Sequence, residues 1–67
     1  MEIRVNGETR EIDACATVAA LVSALGLEQY KGVAVEMNGT FVRREAYAET
    51  DVPPNATVEI VRFVGGG

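Results

Sequence analysis

Two Asn-Gly pairs, Asn6-Gly7 and Asn38-Gly39, do most to limit what this chain can become. Asn and Gly both tolerate positive φ, which a two-residue hairpin turn demands at its central positions, and the twist of that turn matches the twist of paired strands. Each pair sits between alternating runs. Ile3 and Val5 alternate with Glu2 and Arg4 before Asn6, and Thr9 to Ile12 follows the turn. Val33, Val35 and Met37 alternate with Ala34 and Glu36 before Asn38, and Phe41 and Val42 carry the return strand. A period of two marks a half-buried strand, so the sequence predicts two antiparallel hairpins.

A lone hairpin cannot bury its apolar face, and the stretch between the two supplies a cover. The Thr17 hydroxyl can cap a helix by accepting an early orphan N–H. Val18, Leu21, Val22 and Leu25 follow at helical spacing and make one apolar stripe. Gly26 suits the left-handed position that ends a helix, and Leu27 is placed to pack back after it. After the second hairpin, "EAYAETDVPPNA" reads as a connection with a short helical turn near Glu45 to Tyr47. Pro53-Pro54-Asn55 excludes regular helix and central strand there. "TVEIVRFV" is the last strand, with Val58 and Ile60 on one side and Glu59 and Val61 on the other.

The order is thus strand, strand, helix, strand, strand, strand. In 67 residues, of which 48% are apolar, there is room for one domain with one core. Laying one amphipathic helix across a mixed sheet buries both hairpins. The fold class expected is α+β: a sheet of about five strands, the first paired with the last in its middle, which is a β-grasp or ubiquitin-like roll.

Composition removes several functions. The net charge is -4, from ten acids against six bases. Phosphate contacts from Lys and Arg dominate nucleic-acid affinity, so neither nucleic acid nor an anionic membrane surface fits as a partner. There is no histidine, which excludes Ser-His and Cys-His catalysis within the chain. The single Cys15 implies no internal disulfide and suits a reduced cytoplasm; it reads as a small residue near the helix start. The apolar run Ala14 to Leu27 is too short for a membrane span. The acidic side chains read mainly as a solvated surface and Arg43-Arg44 as a loop charge pair, while Tyr30 and Tyr47 are expected to be partly buried. No carboxylate pair is placed for acid–base catalysis, and no metal site is implied.

The segment Val61-Arg62-Phe63-Val64-Gly65-Gly66-Gly67 is the remaining feature. Glycine in an ordered element costs backbone entropy and adds no packing. The expected division is a domain over 1–64 and a flexible glycine tail over 65–67. If Val58 and Ile60 fill the core, Val61 and Phe63 point to the opposite face. There they form an apolar docking patch beside the tail, with Val64 at its neck. Glycine lets another protein's backbone approach closely, so such a tail can thread into a narrow site. Ordering it costs on the order of 1–2 kcal/mol per residue, which a docking patch would offset.

The stretches "IRVNGE", "TVAALVSALGL", "VAVEMNGTFVRRE" and "VEIVRFVGGG", in this order, cover most of the chain. They resemble the thiamine-biosynthesis sulfur-carrier family, the ThiS-type β-grasp proteins. "PPNA" stands where many members carry a Gly-Asp turn. The resemblance implies a protein co-substrate and not an enzyme. A ThiF-type adenylyltransferase would use ATP and magnesium to adenylate the Gly67 carboxylate. Sulfur from a cysteine desulfurase persulfide would convert it to a thiocarboxylate, and a ThiG-type thiazole synthase would accept the sulfur. Gly67 would carry the sulfur, Gly66 and Gly65 would form the lead into the partner, and the carrier itself would hold no cofactor. Three other readings stay open on the residues alone. They are a sulfur carrier of another pathway, such as the small subunit of molybdopterin synthase, a ubiquitin-like modifier, and a binding module without tail chemistry.

Overall fold

Each tight turn forms where the sequence places it. In the computed structural model, which describes Met1–Phe63, φ is 50° at Asn6 and 85° at Gly7, and 51° at Asn38 and 85° at Gly39. The first turn joins β1 (Glu2–Val5) to β2 (Glu8–Glu11), and the second joins β3 (Val33–Met37) to β4 (Thr40–Val42). The helix α1 is Val18–Ala24, a 3-10 helix covers Arg44–Glu49, and β5 is Thr57–Arg62. Val64, Gly65, Gly66 and Gly67 lie outside the described residues, and with them the proposed division at residue 64.

The five strands form one mixed sheet in the order β2-β1-β5-β3-β4. β1 and β5 are parallel at its centre, Arg4 opposite Thr57 and Val5 opposite Val58, and every other pair is antiparallel. This is the β-grasp arrangement expected from the element order.

Burial follows the predicted alternation. Ile3, Val5, Val35, Val58 and Ile60 point to one face, where Val18, Leu21 and Val22 of α1 meet them. Val42, Tyr47, Val52 and Ala56 complete the core. Ile3, Val18, Leu21, Val35 and Val58 are essentially inaccessible to water. Burying side chains of this kind contributes about 1.5–3 kcal/mol each, which makes this layer the main source of stability.

The helix ends are closed as the sequence indicates. Thr17 Oγ1 accepts the Ala20 N–H at 3.1 Å. At the other end Gly26, with φ 73°, donates to the Ser23 carbonyl, and Leu27 donates to Val22, each at 3.0 Å. These two bonds make a Schellman cap, one residue earlier than a helix running through Leu25 would have it.

β2 departs from its expected range of Thr9 to Ile12. A two-residue turn sets its flanking residues opposite each other, so Val5 pairs with Glu8 and the strand begins there. Its helix-side positions, Glu8 and Arg10, are exposed and charged, which blunts a free sheet edge. Ile12 leaves the strand but still packs on the core.

Asn6 and Asn38 also do something the sequence does not announce. The Asn6 amide donates to the Ile60 carbonyl at 3.1 Å and accepts the Ile60 N–H at 2.8 Å. Asn38 Oδ1 accepts the Thr57 N–H at 2.9 Å, and the Asn38 N–H reaches the Thr57 carbonyl at 2.8 Å. Each turn therefore clamps one backbone position of β5.

Candidate functional site

The helix covers one face of the sheet and leaves the other open. On the open face Val61 lies opposite Ala34, Glu59 opposite Glu36, and Glu36 opposite Phe41. Val61 is 53% exposed, Phe63 63% and Phe41 62%, the three large apolar side chains left to solvent among the described residues. Strand parity thus places Val61 and Phe63 as expected. Phe41 joins that face from β4, a position the sequence reading left unassigned. The signal was present: with Val42 in the core, period-two alternation turns Phe41 outward.

Phe63 follows the last residue of β5 and is fixed by Gly32. Its backbone N–H donates to the Gly32 carbonyl at 2.6 Å. A Cβ built on residue 32 would stand 3.0 Å from Phe63 Cβ and 3.2 Å from the Phe63 carbonyl oxygen. Only glycine at position 32 allows this approach without a shift. The β3–β5 ladder therefore extends one pair further and carries the aromatic ring to the end of the open face.

The electrostatics of that face are acidic in the middle. Glu36 and Glu59 sit directly opposite each other and are exposed, and like charges in that register disfavour each other. With Phe41 on one side and Val61 on the other, the face offers apolar contacts around two carboxylates.

A second grouping surrounds the end of β5 on the helix side. The Arg62 guanidinium lies over the Tyr30 ring, 4.3 Å from its centroid. Arg44 Nη2 donates to the Tyr30 carbonyl at 2.8 Å. Arg43 and Arg44 are thus no pair: Arg44 borders a cleft with Tyr30 and Tyr47, while Arg43 borders one with Phe41. Tyr47 is buried and donates weakly to the Val33 carbonyl at 3.4 Å. Burial pushes its pKa above the usual 10.0, and nearby Arg44 pulls the other way.

Cys15 is exposed, in a turn closed by the Ala16 N–H on the Asp13 carbonyl, with φ 67°. Nothing in the cysteine side chain signals a left-handed residue. Asn55, φ 62°, serves the turn that "PPNA" makes, and its N–H holds the Glu2 carbonyl at 2.9 Å. Of the predicted site residues, Val61 and Phe63 are brought together on the open face. Val64, Gly65, Gly66 and Gly67 are outside the described residues.

The strand order β2-β1-β5-β3-β4 with one helix across one face defines the β-grasp, or ubiquitin-like, class. The comparisons with known proteins narrow this. The ThiS family model matches residues 3–67. The crystal structure of the thiamine biosynthesis protein ThiS from Geobacter metallireducens is 39% identical, with a TM-score of 0.83 and all of both chains covered. A solution structure of a thiamine biosynthesis protein from the same organism is 39% identical, with a TM-score of 0.79, over 100% of this chain and 88% of that one. Thiazole synthase of Paramagnetospirillum magneticum is 43% identical over 67 residues, and thiazole synthase of Magnetococcus marinus 37%. Those alignments cover the whole of this chain and 20% of each relative, so the chain spans about one fifth of the length of the curated relatives it matches. The chain belongs to the ThiS family.

Proposed function

We propose that this protein is the sulfur carrier of thiazole formation in thiamine biosynthesis, a co-substrate acted on by other enzymes. The observation that carries the reading is the ThiS family match, which runs through residue 67 and so includes the glycines. The exposure of Val61 and Phe63 just before that segment supports the reading, because such a role needs an apolar docking surface there.

The chemistry follows from the carboxylate. The Gly67 carboxylate is a poor electrophile. Attack of its oxygen on the α-phosphorus of magnesium-bound ATP, held by an adenylyltransferase, gives an acyl-adenylate and releases pyrophosphate. A sulfur nucleophile then attacks the acyl carbon and AMP leaves. Sulfide gives the thiocarboxylate directly; a cysteine persulfide gives an acyl disulfide, which a thiol reduces to the same product. Gly65 and Gly66 present no side chains to the walls of a partner's site. Two proteins named thiazole synthase each contain a segment matching all of this chain, which supports a synthase of that kind as acceptor.

The test uses the protein with Gly67 as its terminal residue. It is incubated with a ThiF-type adenylyltransferase, ATP, magnesium and sulfide, and its intact mass is recorded. The expected result is a gain equal to replacing one oxygen by sulfur, lost when Gly66 and Gly67 are deleted. Absence of both adenylate and thiocarboxylate with an enzyme shown to activate another ThiS-family carrier would overturn the reading.

A further inference from the structure

This chain is acidic overall, yet its cations are not spread evenly. Of the six lysines and arginines, four border two adjoining clefts at the end of the domain where β5 finishes: Arg10 and Arg62 in one, Lys31 and Arg44 in the other. Of the ten acids, two border them, Glu8 and Glu28. Leu27 lines both clefts. All four cations are exposed, and none lies within ion-pair distance of a carboxylate among the described residues.

Tyr30 organises two of them. One guanidinium stacks on its ring and another is held by its carbonyl. Arginine has five N–H donors; Arg44 is exposed and uses one of them on Tyr30. Holding a guanidinium before binding lowers the ordering cost of binding, and a planar fork suits carboxylates. The cations are divided between two open clefts, two in each, so a small anion would not meet all four together. An extended acidic chain segment would meet them together.

We infer that Arg10, Lys31, Arg44 and Arg62 form a docking surface for an acidic segment of the adenylyltransferase that receives the tail. The apolar open face and this cationic end would then bracket β5 from two sides. The identity of the receiving protein rests on the proposed function; the charge preference of the surface does not.

The test has two arms. In the first, the labelled domain is titrated with a hexaglutamate peptide and followed by amide NMR. Shifts centred on Tyr30, Lys31, Arg44 and Arg62 are expected, reduced in Arg44→Gln/Arg62→Gln. Equal shifts with sodium phosphate at matched ionic strength, or shifts centred on Arg4 and Arg43, would overturn the inference. In the second, KM for the carrier is measured with the adenylyltransferase at increasing salt. The double variant is expected to raise KM on the order of five-fold at low salt, with a flatter salt dependence, while remaining fully folded at the assay temperature. Arg4→Glu, on the open face at the far end of β5, should leave KM near wild type. A KM raised equally by Arg4→Glu, or unmoved by the double variant, would overturn it. Failure of the carrier chemistry would appear instead as an unmodified tail in wild type, with the peptide arm still decisive.

Discussion

The Phe63 N–H donates to the Gly32 carbonyl at 2.6 Å, and Phe63 Cβ stands 3.0 Å from where a Cβ at residue 32 would lie. The exit of the last strand is therefore set by a glycine thirty-one positions earlier, in the loop before β3.

Gly32→Ala tests that contact. A Gly-to-Ala change that fits normally stabilises by about 0.4–1 kcal/mol through the unfolded chain. Here the new Cβ meets Phe63 Cβ at 3.0 Å and a backbone oxygen at 3.2 Å, neither of them the far end of a flexible side chain. Overpacking of this sort costs about 1–3 kcal/mol, so the net sign is destabilising. A net loss of about 1 kcal/mol would lower Tm by roughly 4–8 °C in a domain this size. A calorimetric melt at or above the wild-type Tm would show that the strand end yields freely.

Phe41→Ala/Phe63→Ala separates docking from folding. Both rings are more than half exposed, 62% and 63%, and exposed substitutions usually change stability by about 0.5 kcal/mol or less. The double variant should keep its thermal unfolding within a few degrees of wild type; under the proposed function, KM for this protein with a ThiF-type adenylyltransferase should rise about ten-fold or more. Loss of folded signal would place these rings in the core instead.

The two clamping asparagines should differ in weight. Glycine at either position keeps the left-handed turn but removes the side-chain bonds. Asn6→Gly loses two bonds to Ile60, and Asn38→Gly loses one to Thr57. At about 0.5–1.5 kcal/mol per bond, Asn6→Gly should cost roughly twice as much in urea unfolding. Equal costs would assign both effects to turn entropy.

Tyr47 gives a pH signature. Its folded pKa is raised by burial, an effect that Arg44 partly offsets. The folded state thus holds the phenol proton more tightly than the unfolded chain. That stability is fully present below the unfolded pKa of 10.0 and is lost as pH rises through the folded value. Stability measured against pH should fall more steeply above pH 10.0 in wild type than in Tyr47→Phe. Parallel curves would remove Tyr47 from the account.

Much of the architecture was written locally. The hairpins, the helix from its Thr17 cap to Gly26, and the inward set of Ile3, Val35, Val58 and Ile60 depend on φ tolerance and on periods of two and 3.6. Those properties belong to residues near each other in the chain. Even the outward direction of Val61 and Phe63 follows from parity with Ile60. What only the tertiary structure decided was which distant groups meet. Asn6 reaches Ile60 across 54 positions, Gly32 receives Phe63, and Arg44 and Arg62 converge on Tyr30. No local pattern encodes these, because each depends on the parallel pairing of β1 with β5 and on the register of β5 against β3. The sequence by itself determined the elements and their buried faces; the sheet's register determined the surface at the end of β5, because side chains from four separate segments become neighbours only when the strands are laid side by side.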